Sequence, residues 1–189
     1  MLNWGAFLDR DGVIVKQIDH LSRAEDLELI EGAGEAIARL NNADIPVIVV
    51  TNQAGIAKGY LTISDLEEIH ARLNSELGKH GAHLDALYYC PHHPQATVIE
   101  YLKDCPCRKP GTGMLKRARD EKGIDLTLSY LVGDATSDIL AGMRAGCRTI
   151  LVKTGFAGRD GLFDVKPDLV VADLAAAVET ILAETGGKR

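Results

Sequence analysis

A chain of 189 residues, 46% hydrophobic and 25% charged, is long enough to bury one core, and a single domain over 1–189 is expected. The net charge of −6 argues against a nucleic-acid surface and leaves room for a local basic pocket. No apolar run approaches the ~20 residues of a membrane span, Asp9 and Arg10 interrupt any secretion signal early, and a cytoplasmic protein without membrane contact is expected.

The first strand reads as Ala6–Leu8, from a short apolar run that begins at Gly5. It is followed at once by Asp9-Arg10-Asp11-Gly12. Where the chain leaves the extended pattern, Asp9 and Asp11 can face one crevice at the carboxyl end of a parallel sheet. One carboxylate can attack phosphorus while the other handles the leaving group's proton. A turn or helix cap is the plainer reading of the same residues. The segment Val13–Ile30 then breaks the pattern and reads as a loop or small hairpin.

Further strands are expected at Pro46–Val50, Ala86–Tyr89, Tyr130–Val132, Thr149–Val152 and Leu169–Val171. Amphipathic helices are expected near Gly34–Asn41, Ile63–His80, Gly113–Lys122, Ser137–Ala145 and Leu174–Glu184, with Thr62 as the cap of the second. This alternation predicts an α/β fold with a mostly parallel sheet.

Three further segments carry polar groups. Thr51-Asn52-Gln53 follows a β-branched run; it can hold phosphate oxygens or simply form a polar turn. Arg108-Lys109-Pro110 precedes a helix. There the Arg fork can grip phosphate or hydroxyls and the Lys can place a point charge, unless the pair is a solvated surface. Asp134 follows Val132-Gly133. It can bind Mg²⁺ together with Asp9, or it can cap a helix, as can Thr136 or Ser137. Asp138, one turn further on, can orient Lys109.

The four cysteines of a cytosolic protein are metal ligands or core residues sooner than disulfides. Cys90-Pro91-His92 and Cys105-Pro106-Cys107 are two short pairs separated by a loop. Three thiolates and one imidazole fit a closed tetrahedral structural Zn²⁺ site, and the matched spacing favours His92 over His93. Cys147 stands apart and reads as a small core residue.

Together D-R-D-G, T-N, R-K-P and G-D-x-x-x-D, in this order and each near a strand end, resemble the haloacid-dehalogenase-like phosphatase superfamily. The resemblance runs from Phe7 to about Thr154. Within it, Val50–Ile56 and the zinc loop, Tyr88–Pro94 with Cys105–Pro110 and Met114, resemble the branch of heptose-bisphosphate phosphatases and histidinol-phosphatase domains. The resemblance implies a three-layer sandwich with no large cap, its open site shaped by the zinc loop and Val13–Ile30. It implies Asp9 as nucleophile, forming an aspartyl-phosphate, and Asp11 as acid and then base. Mg²⁺ would sit between Asp9, the Asp11 carbonyl and Asp134. Thr51 and Lys109 would hold the phosphoryl oxygens, while Asn52, Gln53 and Arg108 touch phosphate or substrate.

The implied reaction is Mg²⁺-dependent hydrolysis of a small sugar phosphate by a monomer. The leading substrate is the 7-phosphate of D-glycero-D-manno-heptose 1,7-bisphosphate, as in lipopolysaccharide precursor synthesis, with histidinol phosphate as the alternative. A non-catalytic module would have lost a catalytic group, and none is missing. Three departures stand out: Val13 where relatives often carry Thr, Ala135 where heptose enzymes often carry Lys, and Gly111-Thr112-Gly113 in place of a Pro-rich turn. Asp19, His20 and Arg23 are expected to read the substrate.

Overall fold

The computed structural model describes residues 4–186. Six strands form one parallel sheet: β1 (Ala6–Leu8), β2 (Val47–Asn52), β3 (Ala86–Cys90), β4 (Tyr130–Gly133), β5 (Arg148–Val152) and β6 (Leu169–Val171). Their order across the sheet is β3-β2-β1-β4-β5-β6. The chain thus builds outward from β1 in one direction and then, from β4, in the other. The strand order reverses between β1 and β4, and that is where open α/β sheets bind ligands.

Alternate residues of each central strand enter two separate cores, as a period of two requires. Ala6, Leu8, Val47, Val49, Tyr130 and Val132 join the core on one face. Phe7, Ile48, Val50 and Leu131 join the core on the other. The first face is covered by α1 (Ala33–Asn42), α3 (Ile63–Gly78) and α6 (Leu174–Thr185), and the second by α4 (Gly113–Lys122) and α5 (Thr136–Ala145); the short α2 (Ala54–Ala57) lies directly after β2. The result is the expected three-layer sandwich. No helix among the described residues is long and apolar enough to cross a membrane.

Local chemistry sets the element boundaries. Leu66, Ile69, Leu73 and Leu77 form the buried stripe of α3, each worth roughly 1.5–3 kcal/mol when fully buried. Thr62 caps this helix: its hydroxyl accepts from Asp65 N at 3.2 Å, while Asp65 Oδ2 accepts from Thr62 N at 2.7 Å. The helix ends at Gly78, two residues short of the expected His80. Strand β2 runs two residues past Val50, because Thr51 and Asn52 still pair with Tyr89 and Cys90 of β3. The segment 13–30 is a hairpin-like excursion. Lys16 N donates to Glu28 O at 2.9 Å and Ile30 N to Ile14 O at 2.9 Å. Val13 is fully buried in the core, so a methyl group fills that place.

Candidate active site

The crevice at the sheet's reversal point offers about 340 Å³. Asp9, Asp11, Asn52, Gln53, Arg108, Lys109, Asp134 and Asp138 all line it. Residues expected from four separate motifs therefore converge on one wall. Thr51 lies just behind them, 1% exposed, and its hydroxyl accepts from Gln53 Nε2 at 2.8 Å.

Asp9 follows β1, where its N–H donates to Val132 O of β4 at 3.0 Å. Lys109 is not on a solvated surface. Its Nζ lies 2.9 Å from Asp9 Oδ1, 2.7 Å from Asp138 Oδ1 and 2.7 Å from Val50 O. Asn52 fixes the backbone that delivers this lysine. Its Oδ1 accepts from Lys109 N at 2.9 Å and its Nδ2 donates to Lys109 O at 3.0 Å. Asp138 also accepts from Ala135 N at 3.1 Å, which closes the first turn of α5.

Asp134 is 1% exposed. Its carboxylate is wedged between Gly12 and Gly155, at φ +79° and +60°. A Cβ on either glycine would come within 2.3 Å of Asp134 Oδ2, and the left-handed backbone also favours glycine there. The loop after β5 supplies Gly155, and hydrogen bonds tie it to both acidic turns. Thr154 Oγ1 donates to Gly12 O at 2.6 Å, Phe156 N to Asp134 Oδ2 at 2.7 Å and Gly158 N to Asp134 O at 2.7 Å.

Carboxylate oxygens of Asp9, Asp134 and Asp138 lie within 4.8 Å of one another, close enough to share a metal ion. Burial pushes Asp9 up to about 7; Asp138 and Asp11 add to this, and Lys109 opposes it. Burial likewise pushes Asp134 up to about 8, reinforced by Asp9 and Asp138. Three carboxylates around one ammonium leave an excess of negative charge. Asp138 is engaged by Lys109 and Ala135, Asp9 by Lys109 and Arg10 N, and Asp134 by Phe156 N; the group as a whole could hold a small hard cation. One or two carboxylates with oxygen ligands is the donor set of Mg²⁺.

Asp11 is held by a buried network. Arg10, 1% exposed, donates from Nη2 to both Asp11 oxygens, at 3.0 and 2.9 Å, and from Nε to Oδ1 at 3.2 Å. Arg10 Nη2 also donates to Gln53 Oε1 at 3.0 Å, and Gln53 Nε2 donates to Asp11 Oδ2 at 2.9 Å. The Gln53 amide thus bonds to these neighbours, while the residue also lines the crevice.

The cysteine-rich loop brings Cys90, His92 and Cys105 together, their ligand atoms within 4.8 Å of one another. Cys90 Sγ stands 3.8 Å from His92 Nδ1. Cys107 lies outside this tightest group but neighbours the Cys105 thiol. His93 is turned elsewhere: its Nδ1 accepts from Gln95 N at 3.0 Å. Cys147 is buried in the core near Leu126 and Ala141.

Gln17 to Leu21 form one rim of the crevice, including the expected Asp19 and His20. Arg23 is not among the lining residues and pairs instead with Glu25. Phe156, Asp160 and Leu162, from the loop after β5, also line the crevice. Sequence reasoning missed this loop, for it has no periodicity and no catalytic motif. It also missed the clamp role of Arg10, although an arginine set between two aspartates was a visible signal.

Fold and site together define a hydrolase built on a parallel α/β sheet with an acidic, lysine-bearing crevice. Comparison with known proteins makes this specific. The profile of haloacid dehalogenase-like hydrolases matches residues 6–101, and a HAD-hydrolase-like profile matches residues 106–177. D-glycero-D-manno-heptose-1,7-bisphosphate 7-phosphatase of Thermosynechococcus vestitus is 42% identical over 183 residues, 93% of either chain. D-glycero-beta-D-manno-heptose-1,7-bisphosphate 7-phosphatase of Escherichia coli K12 is 41% identical over 150 residues, 79% of this chain and 78% of that one. Among solved structures, D,D-heptose 1,7-bisphosphate phosphatase from B. bronchiseptica, complexed with magnesium and phosphate, superimposes with a TM-score of 0.84. It is 35% identical and covers 95% of this chain and 99% of its own. The chain belongs to the haloacid dehalogenase-like hydrolase family.

Proposed function

We propose that this protein is a Mg²⁺-dependent phosphatase that removes the 7-phosphate of D-glycero-D-manno-heptose 1,7-bisphosphate through an aspartyl-phosphate. The observation that carries the chemistry is the Asp9 carboxylate held 2.9 Å from a buried Lys109 at the sheet's reversal point. The similarity to heptose-bisphosphate phosphatases over most of the chain supports the substrate.

Asp9 attacks phosphorus, forming a new P–O bond as the bond to the sugar oxygen breaks. Lys109 and the Thr51 hydroxyl stabilise the transferring phosphoryl oxygens, where charge is concentrated. Asp11 gives its proton to the departing alkoxide and then takes one from the water that hydrolyses the aspartyl-phosphate. Arg10 and Gln53 hold Asp11 in place for both steps. Asn52 serves by fixing the Lys109 backbone, and Arg108 binds substrate oxygens away from the reacting phosphate. Asp9, Asp134 and the Asp11 carbonyl would hold Mg²⁺, whose charge offsets repulsion between the carboxylates and a dianionic phosphate.

Cys90, His92, Cys105 and Cys107 would hold a structural Zn²⁺ that fixes the loop carrying Arg108 and Lys109. One domain working as a cytoplasmic monomer is part of the same reading.

The test is kcat/KM for phosphate release from both anomers of the heptose bisphosphate and from histidinol phosphate, under one Mg²⁺ condition. The reading requires a clear preference for a heptose bisphosphate and its abolition by Asp9→Asn. A preference for histidinol phosphate would overturn the substrate and leave the chemistry intact. Turnover by Asp9→Asn within about tenfold of the unaltered enzyme would remove the nucleophile assignment.

A further inference from the structure

A guanidinium carries five N–H donors and no acceptor. In Arg10 the edge formed by Nε and Nη2 faces Asp11 and Gln53. The other nitrogen, Nη1, meets His70 Nε2 at 3.3 Å. His70 comes from α3, 60 residues away in sequence, and does not line the crevice. Its ring packs 5.7 Å from that of Tyr89 on β3.

Because Arg10 can only donate, the contact requires His70 Nε2 to be unprotonated, with the ring neutral and its proton on Nδ1. An imidazolium would turn two cationic N–H groups toward each other. The surroundings agree: burial first, and then the Arg10 charge, push His70 down to about 4, with Asp11 opposing.

We propose that His70 is a positioning residue for the proton-transfer step: by accepting from Arg10 Nη1 it fixes the plane of the guanidinium whose opposite edge grips Asp11. The inference rests on Asp11 as the proton donor and deepens that reading. The guanidinium is rigid and planar. Turning it to find another acceptor for Nη1 would break the fork on Asp11 and the bond to Gln53. His70 therefore acts on the reaction only through Arg10, and its loss should affect chemistry that depends on Asp11's aim.

Two measurements test this. In the unaltered protein at neutral pH, ¹⁵N NMR should show His70 with Nε2 bare and Nδ1 protonated; an Nε2–H tautomer or an imidazolium overturns the proposal. This readout needs no variant, so a variant that fails to fold leaves the proposal decidable. In the second, kcat/KM is compared on an alkyl phosphate, whose leaving group needs a proton, and on an activated aryl phosphate, which needs little help. His70→Leu should lose about tenfold more on the alkyl ester than on the aryl ester. His70→Gln, which keeps an acceptor, should restore most of it. Equal losses on both esters, or no rescue by His70→Gln, overturn the proposal. Asp11→Asn separates the two ideas. If it shows no leaving-group dependence, the reading of Asp11 fails and takes this proposal with it. If it does and His70→Leu does not, only the role of His70 fails.

Discussion

Lys109 Nζ stands 2.9 Å from Asp9 Oδ1, with the two side chains 2% and 13% exposed. The same ammonium reaches Asp138 at 2.7 Å. A residue of the cysteine-rich loop thus joins the turn after β1 to the first turn of α5. Burial alone would drive the ammonium toward neutrality, yet Asp138 and Asp9 outweigh it and hold Lys109 charged above the usual lysine range.

Removing this cation should therefore harm the fold as well as the chemistry. Lys109→Met leaves two buried carboxylates facing each other and should cost about 3–5 kcal/mol. Adding Asp138→Asn removes one of those charges and should recover roughly 0.5–3 kcal/mol, the usual coupling between contacting groups. Urea unfolding of the two variants at neutral pH measures both effects. A double variant no more stable than Lys109→Met would mean that Asp138 and Lys109 are not coupled.

The acidic cluster also predicts how stability varies with pH. Asp9 and Asp134 ionise at about 7 and about 8 in the folded chain against an ordinary 3.8. The folded chain holds more protons than the unfolded one through that window, so these groups lower its stability as pH rises from about 4 to about 8. A divalent cation that binds the ionised pair works in the opposite direction, and more strongly as they ionise. Mg²⁺-free protein that keeps its zinc should melt at progressively lower temperature from pH 5 to pH 8.5, and the rise in Tm on adding Mg²⁺ should grow over the same range. A Mg²⁺ effect that shrinks with pH would contradict the assignment of Asp9 and Asp134 as the cation's carboxylates.

What was legible in the sequence follows from the range of the interactions involved. Strand and helix identities came from periodicity, which is local; boundaries such as Gly78 were off by a residue or two, where competing turns decide, and the one-turn α2 (Ala54–Ala57), too short to show a period, was not expected. The Asp9 and Asp134 motifs were legible because each sits immediately after a strand, and a parallel sheet brings strand ends together; Lys109, at the end of the long loop after β3, was legible from its Arg-Lys-Pro setting just before α4. Arg10, Gln53 and His70 form a network whose members lie on β1's exit, β2's exit and α3. No local pattern marks such a set: that the Gln53 amide also bonds to Asp11 and Thr51 depends on which residues the fold brings beside it. The loop after β5 was silent for a similar reason. Part of its contribution is backbone: Phe156 N and Gly158 N donate to Asp134, and backbone donors leave almost no trace in residue identity.

The zinc reading makes a prediction with an internal control. Protein prepared without added zinc should carry about one Zn²⁺ per chain. Cys105→Ser should lose it and lower Tm and activity together, because the loop it anchors continues into Arg108 and Lys109. Cys147→Ser should keep the zinc, since Cys147, though buried in the same core, is not among the grouped ligand atoms of Cys90, His92 and Cys105. Metal analysis and melting curves of the three proteins decide it. Metal-free protein with full stability and activity would defeat the structural-zinc reading.

Arg108 carries the last prediction, because it differs from the other cations of the crevice. Three cationic side chains line the site among the described residues: Arg10, Arg108 and Lys109. Arg10 is bound to Asp11, and Lys109 to Asp9 and Asp138. Arg108 instead makes one neutral contact, Nη1 donating to His92 O at 3.3 Å, which ties its position to the cysteine-rich loop. Ala135, on the same wall, adds no cation. On the proposed function, Arg108 would recognise a second anionic group on a sugar bisphosphate, since its fork suits phosphate oxygens. A charge-assisted hydrogen bond is worth roughly 1.5–3 kcal/mol, so Arg108→Ala should lower kcat/KM on the sugar bisphosphate by about 10- to 100-fold. The same change should leave an aryl phosphate within about threefold, since that substrate offers nothing for Arg108 to bind away from the reacting phosphate. Arg108→Lys should recover only part of the loss, because an ammonium lacks the bidentate geometry. Equal losses on both substrates would place Arg108 with the reacting phosphate and not with the remote end of the sugar.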